Sequence, residues 1–183
     1  MSVNTKIKNG RKRMKTPLFK PQTEWLPPTD FPNLDKYDEI AIDLETKDPN
    51  LNERMGSGSV VGVGDVVGIS LATHDWCAYY PIAHEGGGNM DRKMVLDWFQ
   101  NQMKTDSTKI FHNAMYDVCW LRRLGINIQG QIVDTMIAAS LVDENRFRYD
   151  LNGISRDYLS KGKDETALYE AAKSWGVDPK AEM

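Results

Sequence analysis

Cysteine is scarce in this chain of 183 residues: the two thiols, Cys77 and Cys119, show no C-x-x-C spacing. That excludes a disulfide framework and a zinc knuckle, and their apolar neighbours predict two buried free cysteines. Histidine is equally sparse. His74, His84 and His112 share no metal-ligand spacing, which assigns them core or surface roles. No apolar run approaches the ~20 residues needed to cross a bilayer, and no hydrophobic signal segment follows the basic start. A cytoplasmic protein without a membrane role is therefore expected. Internal repeats are absent. Gly62, Gly64 and Gly68 form G-x-G-x-x-x-G ahead of a strand with no helix behind it, which fits a turn and excludes a dinucleotide loop.

What the chain does hold is an ordinary globular composition with an uneven charge. An apolar fraction of 40% and a charged fraction of 27%, at this length, suit one domain with a sizeable core. The net charge is -3, but seven of the 23 basic residues lie in the first 20 positions, which carry no acid. The rest of the chain sets 16 basic residues against all 26 acidic ones. Such a basic arm is either a solvated tail or a contact for a phosphate backbone. The acidic body suits an enzyme whose carboxylates recruit cations better than a passive nucleic-acid binder.

Punctuation divides the chain into an arm, residues 1–36, and a body, residues 37–183. Pro17, Pro21, Pro27, Pro28 and Pro32 block a long helix in the arm, and Trp25, Leu26 and Phe31 are placed to pin it to the body. In the body, alternation predicts a strand over Glu39–Glu45, then a long flexible connection over 47–64. Strands over Val66–Ala72 and Trp76–Ile82 follow, an antiparallel meander. The period then becomes helical behind Asn89 and Asp91. A short strand at Lys109–Phe111 leads into a helix from Ala114 to Leu124 stopped by Gly125, and Asp134 caps a helix over Thr135–Val142. Two further helices are expected around Leu151–Leu159 and Glu165–Trp175. The fold class is α/β, a mixed sheet flanked by helices.

Two motifs carry chemistry. In Ile40-Ala41-Ile42-Asp43-Leu44-Glu45-Thr46 the carboxylates are spaced i, i+2, so a strand points Asp43 and Glu45 to one side and Ile42 and Leu44 to the other. Like charges held together call for a cation, and hard divalent ions take oxygen ligands. About seventy residues later, Phe111-His112-Asn113-Ala114-Met115-Tyr116-Asp117 runs from strand into helix, with Asn113 and Asp117 at i, i+4 on one helical face. Taken singly, each acid has a structural explanation: a strand-end cap for Asp43, a solvated edge charge for Glu45, a helix-dipole partner for Asp117. Asp134 reads as an N-cap rather than a ligand. Asp150, Asp157 and Asp164 read as solvated helix charges, with a substitute ligand among them as the alternative.

In order and form, D-x-E-T at Asp43, Glu45 and Thr46, then Asn113, Tyr116 and Asp117, then Asp134-Thr135-Met136, the chain resembles the 3′→5′ proofreading exonuclease domain of family A DNA polymerases, in the DEDD (DnaQ-like) superfamily. The resemblance spans roughly residues 36–180 and implies a ribonuclease H-like fold. It further implies hydrolysis of the 3′-terminal phosphodiester of single-stranded or frayed DNA, with release of nucleoside monophosphates. Two Mg²⁺ (or Mn²⁺) ions would be held by Asp43, Glu45 and Asp117, and Thr46, Leu44, Asn113 and Tyr116 would contact the terminal nucleotide. The partners so implied are a single-stranded DNA 3′ end and a polymerase domain further along the chain, in a bacterial cell or a phage-infected host.

The family's third motif, Y-x-x-x-D, is missing: Tyr149, Tyr158 and Tyr169 are followed four residues later by Gly153, Gly162 and Lys173. The sequence ends in Asp178–Met183, which reads as the start of another helix. The expectation is a piece cut before its third motif, weak or inactive alone for want of a fourth carboxylate. The alternatives are a catalytically impaired nucleic-acid-binding module of the same fold and an RNA-processing 3′→5′ exonuclease.

Overall fold

Alternating burial in β1 (Glu39–Lys47) organises the computed structural model, which describes residues 25–49, 51 and 56–176. Ile40, Ile42 and Leu44 are buried, while Ala41, Asp43 and Glu45 alternate with them on the other face of the strand. β2 (Asp65–Ala72) runs antiparallel to β1 and sets Ile69 opposite Leu44 and Leu71 opposite Ile42. β3 (Cys77–Pro81) runs antiparallel to β2, with Tyr80 opposite Ile69. Cross-strand partners share a face, so these side chains build one apolar layer. Helix α2 (Arg92–Gln102), capped by Asp91, covers it with Val95 and Phe99, and Trp98 packs on Tyr80 with ring centroids 4.7 Å apart.

The chain then returns to the other side of β1. β4 (Thr108–Phe111) pairs parallel with Glu39–Ala41, and β5 (Ile132–Asp134) pairs parallel with β4, giving the order β3-β2-β1-β4-β5. The connection from β4 to β5 is α3 (Ala114–Arg123), closed by Gly125 at φ 77°. The helices α4 (Thr135–Val142) and α5 (Leu151–Leu159) follow. The mixed α/β sheet is the one expected. β5 was not: its three residues run straight into α4 without a turn residue, so the sequence reads them as a helix start. The flexible connection also contains a short helix, α1 (Gly58–Val61), ended by Gly62 at φ 83°. Residues 24–165 form one unit, while α6 (Thr166–Trp175) belongs to a second. No helix among the described residues is long and apolar enough to cross a membrane.

Of the arm, residues 1–24 lie outside the described residues, as does the helix expected over 178–183. Phe31 stacks on Tyr80 at 5.6 Å and Trp25 leans on Tyr79 at 5.9 Å, but Leu26 remains exposed. The expectation of buried thiols is corrected. Cys77 is exposed and Cys119 half-buried, because Cys77 starts an edge strand and Cys119 lies off the buried stripe of α3, which runs through Ala114, Asp117, Trp120 and Leu121.

Candidate active site

On the sheet face opposite the apolar layer, Asp43 sits across from Ser70 and Glu45 across from Gly68. β4 pairs with β1 only as far as Ala41, so the outer half of β1 has no strand on that side. Asp117, in the first turn of α3, fills the gap: its Oδ1 accepts the backbone N–H of Leu44 at 3.1 Å. The carboxyl is buried, and burial together with the negative charges of Asp43 and Glu45 pushes it up to about 7. Burial also raises Asp43, against the opposing pull of Lys163 and His112. Asp117 therefore feels the two strand acids, although among the described residues no three His, Cys, Asp or Glu side chains close into a ready-made cage.

The start of α3 is held by Asp134. Its carboxylate accepts the N–H of Asn113 at 3.0 Å and of Ala114 at 2.8 Å, and also caps α4 through Met136 at 2.9 Å. Burial opposes ionisation of Asp134, but these backbone donors hold it below the usual carboxylate range. Asp134 is the N-cap expected, shared between two helices. Thr135 donates to the carbonyl of Phe111 and bonds His112 Nδ1 at 2.9 Å.

One expectation needs correction here. Asn113 does not share a helical face with Asp117, because it adopts φ 65°, ψ 54° outside the helix, where its exposed side chain makes no cap hydrogen bond. The Leu44 side chain belongs to the core, and its N–H reaches the site by donating to Asp117.

Thr46 and Tyr116 do meet. A register shift between Glu45 and Thr46 re-aims β1, as bulges beside functional sites do, and Thr46 Oγ1 lies 2.7 Å from Tyr116 Oη. That phenol also donates to Asp48 Oδ2 at 3.1 Å, and Asp48 in turn accepts the N–H of Gly58. Arg123 ties the same loop by donating to the carbonyls of Gly58, Gly62 and Val63. From the sequence, Asp48 falls within the flexible connection over 47–64, and nothing there points to Arg123. Asp150 caps α5 through Gly153, and Asp157 pairs with Arg146, so both are occupied structurally.

A family profile described as 3′-5′ exonuclease matches residues 30–183. A DNA-directed DNA polymerase of Pseudomonas phage M6 is 33% identical over 178 residues, 93% of this chain and 27% of that protein. DNA polymerase I of Borreliella burgdorferi is 28% identical over 128 residues, 69% of this chain and 13% of that one. The chain thus spans about a quarter or less of the curated relatives it matches. Among solved structures, the Aedes aegypti Nibbler EXO domain superposes with TM-score 0.54 at 16% identity, covering 80% of this chain and 68% of that one. Escherichia coli RNase D gives 0.52 at 16%, covering 81% and 34%. These likenesses bear on the fold, which is the ribonuclease H-like one expected from the sequence.

Proposed function

The chain belongs to the 3′-5′ exonuclease family, and from that premise we propose that it removes nucleotides one at a time from the 3′ end of single-stranded or frayed DNA, as the proofreading part of a DNA polymerase. The observation that carries this reading is the bond from the Leu44 N–H to the buried Asp117 carboxyl, which seats that acid against the strand bearing Asp43 and Glu45. Burial and those two charges push it up to about 7. Asp43 and Glu45 on the strand with Asp117 beside them offer an oxygen-only donor set with surplus negative charge, which fits hard divalent cations. Asp43, Glu45 and Asp117 would hold Mg²⁺ or Mn²⁺, two ions in the full reading. Such ions, when bound, supply an activated water and neutralise charge on the leaving oxygen.

The chain's own residues supply position. The Leu44 N–H fixes the Asp117 carboxylate against β1, so the acid from α3 is aimed by the strand that carries the other two. The Thr46–Tyr116–Asp48 bonds hold a wall beside Glu45, and the uncapped Asn113 side chain is free to meet the terminal nucleotide. A polymerase body on the same polypeptide and action in a bacterial or phage-infected cytoplasm complete the proposal. Both rest on relatives that are phage and bacterial DNA polymerases.

The test is release of mononucleotides from 3′-labelled single-stranded DNA and from the matching RNA, with Mg²⁺ or Mn²⁺, by the chain and its Asp43→Ala variant. Metal-dependent release from DNA that the variant loses supports the reading. Preferential release from RNA replaces it with the RNA-processing alternative. DNA binding unchanged by chelator, with no release, leaves a binding module of the same fold.

A further inference from the structure

Glycine at position 68 creates a relationship that the three acids do not explain. Gly68 stands directly opposite Glu45 in the β1–β2 pair. An ideal Cβ built on Gly68 would lie 1.9 Å from the hydroxyl of Tyr79. The phenol therefore occupies the place of a residue-68 side chain and becomes the cross-strand neighbour of Glu45, a position about 5 Å away across an antiparallel pair. Tyr79 is half-buried, and a phenol there brings an O–H to the side of the sheet that carries Glu45.

That hydroxyl has a second neighbour, Nε2 of His84, within hydrogen-bond distance. His84 is fixed from behind. Asn89 Oδ1 accepts its backbone N–H at 2.7 Å, and Asn89 Nδ2 donates to its carbonyl at 2.8 Å. An ionised carboxylate only accepts hydrogen bonds, whereas a phenol offers one hydrogen and can accept another. With an imidazole on one side and Glu45 on the other, one arrangement satisfies all three groups. We propose that Tyr79 is a positioning residue for Glu45: His84 donates its Nε2–H to the phenol oxygen, and the phenol hydrogen is directed at the Glu45 carboxylate. Asn89, His84 and Tyr79 then form a brace that aims Glu45, as Leu44 aims Asp117. The importance of that aim rests on the exonuclease reading, but the brace itself does not.

Two readouts on the metal-free chain need no turnover. Nitrogen NMR of the His84 ring is expected to show the Nε2–H tautomer, and the carboxyl carbon of Glu45 is expected to move in Tyr79→Phe. An Nδ1–H tautomer, or an unmoved Glu45 signal, overturns the proposal. Turnover supplies the third readout. Tyr79→Phe should lower kcat about tenfold, the equivalent of one positioning hydrogen bond, with KM for oligodeoxynucleotide nearly unchanged. His84→Gln, which keeps an N–H donor, should retain more activity than His84→Leu. Equal loss in the two His84 variants, or a loss in Tyr79→Phe confined to KM, would show a merely structural contact. A wild-type chain without turnover fits the weak or inactive chain expected from three carboxylates, and the two NMR signals then decide on the brace by themselves.

Discussion

The backbone N–H of Leu44 reaches across to Asp117 Oδ1 at 3.1 Å, joining positions 73 apart in the chain. It joins the two motifs at one hydrogen bond, made where β4 no longer reaches β1. Because the donor is backbone, an amide at position 117 can still accept it through its Oδ1.

Asp117→Asn should therefore fold, lose nuclease activity and gain stability at pH 8 in chelator. The sign follows from linkage. The native carboxyl titrates at about 7 and the unfolded one at the ordinary 3.8, so the native state holds the proton more tightly and stability falls as pH rises from about 4 through about 7. Below that window both states are protonated and the contribution vanishes. At pH 8 the cost is on the order of 2–4 kcal/mol. Urea unfolding of both proteins at pH 4 and pH 8 should show curves that agree at the lower pH and separate at the higher; equal separation at both refutes the linkage.

The phenol of Tyr116 holds Thr46 and Asp48 together, so Tyr116→Phe removes two hydrogen bonds without removing the ring. Net losses of about 1 kcal/mol per bond predict 1–2 kcal/mol of destabilisation by urea titration. A variant as stable as the parent would show that water replaces both partners.

How much of this was legible beforehand depended on the range of each signal. The strands β1 to β4 and the helices α2 to α5 announce themselves by period and by caps such as Asp91 and Asp134, whereas Asp150, read as a solvated charge, proves to cap α5. β5 is too short to show an alternation, and α1 is hidden among glycines. Asp43 and Glu45 could be placed on one face from spacing alone. The role of Leu44 as a backbone donor could not, because it depends on where β4 stops. Tyr79 was equally silent: its place beside Glu45 follows from a glycine one strand away, visible only once the register is known.

That register gives a prediction of its own. Gly68→Ala would place a methyl within 1.9 Å of the Tyr79 hydroxyl and must displace the ring. Overpacking of this kind costs about 1–3 kcal/mol. In a Tyr79→Ala background the space is free, and the same substitution should be nearly neutral. A double-mutant cycle by chemical denaturation should return a coupling above about 1 kcal/mol, and additivity would place the phenol elsewhere.

Asp134→Ala removes one carboxylate that serves the first turns of two helices. A single N-cap is worth about 1 kcal/mol, so a shared one predicts about 2 kcal/mol at neutral pH. The backbone donors depress this carboxyl, so its stabilisation is present above the unfolded value near 3.8 and is lost as pH falls through the lower native value. Asp134→Asn keeps an acceptor for Met136 and Asn113 and should lose less. Hydrogen exchange should speed up at the amides of Asn113, Ala114 and Met136 together; a change confined to α4 would leave α3 held by something else.

Cation binding should oppose the repulsion that Asp117 records. Adding Mn²⁺ at pH 8 is expected to raise the thermal midpoint, by about 3 kcal/mol of stabilisation at a hundredfold excess over Kd. The effect should shrink at pH 5.5, because a carboxyl that titrates at about 7 is then protonated and must release its proton before it can coordinate. Asp43→Ala and Glu45→Gln should weaken the shift at both pH values. Asp117→Asn should also leave it nearly independent of pH between 5.5 and 8, since the titrating group is gone. A midpoint rise that is identical in all four proteins would locate the cation away from these acids and remove the basis for assigning them the chemistry.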